Sequence, residues 1–540
     1  MNGLILLLPP LMPILMALLV HRLQSRWWLF SAALPALLVG LLAEEGGAIT
    51  IPWLLLGMHF ALDSTGRLFL LFGALIWMLA ALFMPNRELA TGATGYVKQT
   101  FLLALAGNGL LILAADMLTF YVGFALMGLS AYGLVRGRSQ RARRAARVYL
   151  AFTLVGELAL FSALLFLMAS GDSLLFEELT AEPIPAMALV LLLLGFGIKV
   201  ALPGLHLWLP RAYVLAPVFG VAVLSGPMMK AGLLGWLRFL PFGTPLEPLW
   251  GNALMFLGVV GVVLGMLMGV FQRDPRGVLA YSSIGKMGLF SALIGFALNQ
   301  PELAGALLPA MVLLALHHLL VKPMLFMGLE LWRQGEPRVW LLPALSLLAI
   351  SLAAVPLTGG AMAKSVLSEV LGGELAWLLF LSGTAATVLM GRLLWLLQEP
   401  FKPRRADRVR SLGWLILLPL AVWTPFAWDA VSYEVKGVTH LVAGSLLLIV
   451  AVALRHWLIQ PFAMLQNIGQ RIRFRSTRFR FEYAAVGGQV NLLRLPLKQS
   501  LQALTTYLKN QRMKAGGDPG IWWLLLMVAL PGALGLSLHL

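Results

Sequence analysis

A lysine, Lys199, lies deep in an apolar run that begins near Met187, and the run then breaks at Pro203–Gly204. His206 follows, the chain breaks again at Pro210, and a second apolar stretch carries Pro227 and Lys230 at its middle. An ammonium at the centre of a membrane helix costs roughly 2.5–3.5 kcal/mol even on lenient insertion scales. Irregular backbone at membrane depth survives only where protein buries it or where it lines a watery cavity. Two lysines beside a broken helix therefore point to a polar path inside protein, and to ion translocation.

The rest of the chain supplies such surroundings. Of its 540 residues, 60% are hydrophobic and only 12% charged, with a mean hydropathy of +0.87. That is the composition of an all-α polytopic membrane protein rather than a row of soluble domains. Apolar runs fall near 3–20, 27–43, 64–84, 99–115, 117–135, 148–169, 185–202, 217–237, 250–271, 278–298, 304–329, 339–355, 375–398, 412–428, 438–459 and 521–539. They predict about sixteen spans of about 20 residues each. The run at 339–355 breaks at Pro356–Gly360 and resumes as a half-helix around 361–371, so the pair counts as one span. Residues 50–62 are too short to cross and predict a segment at the outer face. Residues 3–20 lack a basic n-region and a small-residue cleavage site, so they read as a retained helix.

Charge placement sets orientation and excludes other classes. The net charge of +17 would suit nucleic acid, but the basic residues sit in loops between apolar runs, as membrane topology demands. Loops after odd-numbered spans are basic, most densely from Arg136 to Arg147 and from Lys402 to Arg410. Loops after even-numbered spans hold Glu44/Glu45, Asp172/Glu177/Glu178/Glu182, Glu247, Glu302 and Glu374, with Arg67, Arg238 and Lys436 as exceptions. Basic loops then face the cytoplasm of a bacterial-type inner membrane and both termini lie outside. With no cysteine in the chain, disulfides, thiolate-held iron–sulfur clusters and Cys zinc sites are excluded. The sizeable polar piece is 461–519. Within it residues 471–483 alternate basic with aromatic side chains, and leucines between Val490 and Lys514 suit a helix lying in the interface or against a neighbouring subunit.

Titratable side chains inside apolar runs are few: Glu157, Lys199, Lys230, Lys286, His317, His318, Lys322, Lys364, Glu369 and Arg392, with His206 just past a break. Each has a plain reading. Lys286 near a span end would snorkel to the interface, histidines would be packing residues, and Arg392 would tie helices together. Lys199, Lys230, Lys322 and Lys364 lie deeper, and together they read as a relay. Burial disfavours an ammonium and a nearby carboxylate favours it, so an amine held between the two can gain and lose a proton. Histidines between lysines extend such a relay. The breaks also sit in comparable places. Segments 99–240 and 249–398 each hold five spans with the break in the fourth, beside Lys199 and Lys364 respectively. An odd number of spans per unit makes the second unit an inverted repeat of the first.

The stretch KVALPGLHLWLPRAYVLAPVFGVAVLSGPMMKAGLLGWLR (199–238) is similar to the signature of the antiporter-like, proton-conducting membrane subunits. These belong to respiratory complex I, to membrane-bound hydrogenases of the formate hydrogenlyase and hydrogenase-4 type, and to multisubunit cation/proton antiporters. LSGPMMKAG resembles the hydrogenase-4 B-like branch in particular. DPRGVLAYSSIGKMG (274–288), HLLVKPMLF (318–326) and PLTGGAMAK (356–364) resemble further motifs of the family in order, and Asp63 and Asp116 fall where it tends to have aspartates. The resemblance covers roughly 60–400. It implies that Lys199, Lys230, His318, Lys322 and Lys364 line a proton path across two inverted five-helix repeats, in one subunit of a larger assembly. His206, His317, Glu369 and Arg392 are additional candidates. One departure stands out: the family's fifth span carries Trp-Glu, and here Phe124-Ala125 occupy that place, so Glu157 is expected to replace the missing carboxylate beside Lys199.

The expected function is therefore proton translocation, with sodium as the alternative ion, along Glu157, Lys199, Lys230, His318, Lys322 and Lys364. No cofactor motif occurs, so any redox centre is expected on partner subunits, membrane and peripheral. The alternatives are a subunit of a cation/proton antiporter, the membrane partner of an inorganic-carbon uptake complex, or a structural subunit that lost conduction. The expected divisions are N-terminal membrane helices (1–98), the two repeats (99–240 and 249–398), C-terminal membrane helices (410–460), the amphipathic segment (461–519) and a last helix (520–540).

Overall fold

Apolar runs that must satisfy every backbone polar group without water have to be helical, and helices dominate the chain. The computed structural model describes residues 3–453, apart from 23, 55, 86–94, 172, 180–183, 243–245, 398–406 and 425–438. The segments expected at 461–519 and 520–540 lie outside the described residues, as do most of the 402–410 basic loop and parts of the C-terminal helices expected at 410–460.

Helices α1 (Leu8–Leu18), α2 (Arg26–Ser31) and α3 (Leu34–Leu42) open the chain. The short segment after them forms a hairpin, β1 (Ala48–Ile51) antiparallel to β2 (Met58–Ala61), with Ala48 opposite Ala61 and Ile51 opposite Met58. Next come α4 (Ser64–Leu82), α5 (Gly95–Leu113), α6 (Met117–Val135), α7 (Gln140–Ser170), the short α8 (Phe176–Leu179) and α9 (Ala186–Lys199). After α10 (Trp208–Leu215), α11 (Val218–Val223) and α12 (Met229–Phe239) the chain continues as α13 (Pro248–Val270), α14 (Pro275–Asn299) and α15 (Pro301–Gln334). It closes with α16 (Arg338–Leu352), α17 (Gly359–Val370), α18 (Ala376–Leu396), α19 (Arg408–Trp423) and α20 (Thr439–Ala453). Among the described residues, nine helices are long and apolar enough to cross a membrane, with α11 and α12 counted together.

The two aspartates noted in the sequence start helices. Asp63 Oδ1 accepts the Gly66 amide at 2.9 Å, and Asp116 Oδ1 accepts that of Thr119 at 2.7 Å. Such N-caps stabilise by about 0.5–2 kcal/mol each. Arg238 then reaches Asp63 at 3.1 Å and the Ile112 carbonyl at 2.7 Å, tying the start of α4 to the end of α5. Without a hydrophobic drive between helices in lipid, close packing depends on small residues. A Cβ on Gly258 of α13 would lie 2.5 Å from the Gly288 carbonyl and the Ala292 amide of α14. Likewise a Cβ on Gly123 of α6 would lie 2.5 Å from the Leu111 amide of α5. In both places backbone touches backbone, and any larger residue would force the helices apart.

Pro210, expected to break the chain, instead lies in the first turn of α10, where a proline is tolerated; three other interruptions matter for function. Helix α9 stops after Lys199: Ala201 N donates to Ile198 O at 3.1 Å and Leu202 N to Gly197 O at 2.9 Å. Helix α16 stops in the same way, with Ala354 N donating to Ser351 O at 3.1 Å and Val355 N to Ile350 O at 3.1 Å. Ala201 and Ala354 both hold φ of +60°, and the left-handed turn is repeated three residues later at Gly204 (+85°) and Leu357 (+66°). A left-handed alanine costs roughly 1–2 kcal/mol, so surrounding packing must hold these breaks in place. The third interruption, between α11 and α12, is a π-turn at Leu224–Met228, where Gly226 leaves helical geometry (φ −88°, ψ −110°) and Pro227 brings no N–H.

Candidate ion path

Lys199 ends α9 inside a small cavity of about 10 Å³ lined by Phe124, Tyr149, Thr153, Glu157 and Trp208 among others. Its ammonium sits 5.5 Å above the Phe124 ring centre and 5.8 Å from that of Tyr149. It also donates to the Tyr149 hydroxyl at 3.4 Å, which in turn donates to the Gly128 carbonyl at 2.9 Å. Cation–π contacts of this kind contribute about 0.5–2 kcal/mol each when desolvated. Glu157 is 6% exposed and faces the same cavity, close enough for its charge to act on Lys199. The two make no direct ion pair, and Glu157 Oε2 has no hydrogen-bond partner among the described residues. Glu157 and Lys199 thus line the same cavity without an ion pair between them. Phe124 lines the cavity and Ala125 is not part of its wall.

Lys230 is held by the π-turn. Widening the helix there frees two carbonyls: Leu224 O accepts from Tyr213 at 3.1 Å, and Ser225 O accepts from the Lys230 ammonium at 2.9 Å. A second bond joins Lys230 Nζ to His318 Nδ1 at 2.7 Å, between residues 1% and 0% exposed. An ammonium can only donate, so when Lys230 is charged His318 accepts through Nδ1 and carries its proton on Nε2. That Nε2 has no partner among the described residues. One turn on, the Lys322 ammonium donates to the Leu279 carbonyl at 3.0 Å. Pro323 follows it and leaves Leu319's carbonyl without its helical donor.

The third group surrounds the α16–α17 break. Lys286, His317, Lys364, Ser382 and the backbone at Ala354, Gly360 and Gly383 line a cavity of about 20 Å³, room for a water molecule. His317 Nε2 bonds Ser351 Oγ at 2.8 Å, and Lys364 Nζ meets His440 Nδ1 at 3.2 Å. Lys286 lies within electrostatic reach of Lys364, His317, His318 and Lys322. It thereby joins the Lys230–His318 pair to the cavity.

The structure thus brings Lys230, His318, Lys322, His317 and Lys364 into one series and Lys199 with Glu157 into another. The remaining candidates stand apart. Glu369 is exposed on α17, away from the cavity wall. His206 sits half-buried between α9 and α10 and does not line the Lys199 cavity. Arg392 donates to the Gln272 carbonyl at 3.1 Å, tying α18 to the end of α13. The snorkelling expected of Lys286 is corrected: its side chain turns inward to the cavity, because the helix face it occupies is the one packed on α15 and α18. Lys199 and Lys364 also prove not to be counterparts. Lys199 precedes its break on the first half-helix, whereas Lys364 follows its break on the second. Tyr149 was legible in principle, since Tyr149, Thr153 and Glu157 repeat every fourth residue on one face of α7. His440, near the start of α20, gave no such signal.

Residues 114–390, just over half of the chain, match the family described as NADH:quinone oxidoreductase/Mrp antiporter, transmembrane. The chain belongs to this family of antiporter-like membrane subunits, as its motifs indicated, and it is a multi-pass membrane protein. It is 30% identical over 249 residues to hydrogenase-4 component B of Escherichia coli (strain K12), covering 44% of this chain and 37% of that one. It is 32% identical over 306 residues to NADH-quinone oxidoreductase subunit N of Desulforudis audaxviator (strain MP104C), covering 53% and 58% respectively. The match thus spans less than two thirds of either relative. Its fold is similar to a chain in the Mrp complex from Dietzia sp. DQ12-45-1b, with a TM-score of 0.72 at 19% identity over 99% of this chain and 63% of that one. Apart from His440, the polar residues of both series fall inside the matched region.

Proposed function

We infer that the chain is a proton-translocating, antiporter-like subunit of a multisubunit energy-converting membrane complex of the complex I or hydrogenase-4 kind. The observation that carries this reading is the buried basic series Lys230–His318–Lys322–Lys286–His317–Lys364, linked by a hydrogen bond at its start and by mutual electrostatic reach beyond it. Each ammonium in such a series disfavours its neighbour's charge. A proton arriving at one end therefore promotes release further along, with His318 and His317 alternately accepting and donating. Lys199 with Glu157 forms a second, self-balanced station.

The architecture we propose has about sixteen spans, with 99–240 and 249–398 as inverted five-helix repeats. It is supported by the matching hydrogen bonds that end α9 and α16, and by the glycine-packed helix pair that opens each unit. Basic loops face the cytoplasm of a bacterial-type inner membrane and both termini lie outside. A cysteine at Ser139 should then resist impermeant labels in intact cells while one at Ser173 reacts; the reverse would overturn the orientation. Redox centres, where the assembly has them, reside on partner subunits, which purification of the native complex would identify.

The function is tested by Lys364→Met in the purified complex, reconstituted in sealed vesicles with a trapped pH dye. Proton movement should fall about a hundredfold, the scale on which positioned acid–base groups act. Wild-type movement would remove Lys364 from the path.

A further inference from the structure

We propose that His440 is a proton carrier that takes the proton from Lys364 and passes it out of the chain's interior at the α16–α17 break. This deepens the proton-translocating reading above and rests on it. His440 comes from α20, beyond the matched family region, and is 3% exposed. Its ring is held at both nitrogens. Nε2 lies 3.3 Å from the Ala353 carbonyl, which can only accept, so the proton of the neutral ring sits on Nε2. Nδ1 is then a lone pair, and it faces the Lys364 ammonium at 3.2 Å. The carbonyl that sets this tautomer is the residue before the left-handed Ala354, so the break itself aims the ring.

The step balances as a proton transfer without change of oxidation state. The Lys364 Nζ–H bond breaks and the His440 Nδ1–H bond forms, leaving a neutral amine and an imidazolium. The imidazolium then gives up its Nε2 proton to water. While Ala353 O occupies that position the second transfer is blocked, so release requires the break to shift and admit water. Release leaves the ring protonated on Nδ1; uptake of a proton from water at Nε2 and loss of the Nδ1 proton to water restore the starting tautomer, so the cycle moves one proton from Lys364 to water. Among the described residues, Lys286 from α14, His317 from α15 and Ser382 from α18 share with Lys364 the wall of its cavity. Lys286 and His317, when charged, disfavour charge on Lys364 and favour transfer away from it.

Gly383 gives the pair its space. A Cβ there would lie 2.7 Å from His440 Cδ2 and 3.0 Å from Lys364 Nζ. Gly383→Ala therefore leaves both titratable groups in the chain and displaces one from the other. Gly305 has nothing within 4 Å of a built Cβ, and Gly305→Ala serves as the neutral control.

The experiment compares His440→Gln, Gly383→Ala, Gly305→Ala and Lys364→Met in the complete complex, each checked for assembly and then assayed in dye-loaded vesicles. Glutamine preserves a donor for Ala353 O and an acceptor for Lys364 but cannot carry the proton. The expected result is loss of proton movement in His440→Gln by about a hundredfold, a smaller loss in Gly383→Ala, and none in Gly305→Ala. Wild-type movement in His440→Gln while Lys364→Met is dead would overturn this inference alone. Wild-type movement in both would overturn the proton-path reading beneath it. Loss of assembly in His440→Gln but full movement in an assembled Gly383→Ala would also count against the carrier role, since the pair would then be displaced without consequence.

Discussion

The cavities at Lys199 and at Lys364 are built beside the same backbone device and differ in what fills them. Each adjoins a helix that ends with an identical pair of hydrogen bonds and a left-handed alanine. Around Lys199 the wall carries three aromatic rings, Phe124, Tyr149 and Trp208, its volume is about 10 Å³, and Glu157 supplies the counter-charge. Around Lys364 the volume is about 20 Å³, and the wall carries Lys286 and His317 with no carboxylate among its lining residues. A pair that balances itself can hold a proton in place. A cluster of bases without an acid pushes a proton onward, because each added charge raises the cost of its neighbours'. In the proposed path the same break thus serves a retaining station in one place and a releasing one in the other.

This contrast can be broken most forcefully at Lys286. Lys286→Met should stop proton movement to about a hundredth of normal, since it removes the charge linking His318 to Lys364. Near-normal movement would restore the snorkelling reading and dissolve the series. Glu157→Gln should act more mildly, slowing movement by about tenfold, the change that one pKa unit makes in a protonation ratio. Its rescue sharpens the geometry: Phe124→Glu on that background should recover more of the rate than Ala125→Glu, because Phe124 already lines the cavity. Greater recovery by Ala125→Glu would show that the carboxylate acts from the neighbouring face of α6.

The smallest effect is expected far from both cavities. Asp407, at the start of α19, is partly buried, which alone would raise its pKa. The Arg26 hydrogen bond and charge outweigh this, with help from Arg410 and the Val409 amide, and hold it below the usual carboxylate range. A depressed carboxylate stabilises the folded state above its unfolded pKa of about 3.9 and loses that contribution as pH falls through the lower folded value. For a pair this accessible the contribution is under about 1 kcal/mol. Asp407→Asn should accordingly lower the melting temperature slightly at pH 7, with the gap to wild type narrowing as pH falls below about 4. An unchanged gap across that range would show that the bond, not the charge, matters, and proton movement should be untouched throughout.

Much of this was written in the chain. Paired Pro-Gly and Pro…Gly-Gly signals marked the two breaks, and lysine in an apolar run marks a costly buried charge, so the breaks and the deep lysines could be read directly. What escaped depends on direction rather than identity. Lys286 lies on a helix of its own between two loops, and its distance along the chain from either says nothing of the face it takes. Ala125 and Phe124 are neighbours in sequence but about 100° apart on a helix, which is enough to move a carboxylate off the cavity. The π-turn at Leu224–Met228 was visible only as Pro227, although its freed carbonyl is what holds Lys230. His440 is paired to Lys364 across 76 residues, and no local pattern announces a contact of that span.

The central claim is that protons move through the basic series that begins at Lys230. The most direct measurement is proton movement by Lys230→Met in the reconstituted complex, alongside wild type and with assembly confirmed. Methionine keeps roughly the volume and removes both the bond to His318 and the titrating group. The account predicts movement at the background of empty vesicles, and wild-type movement by the assembled variant would contradict it.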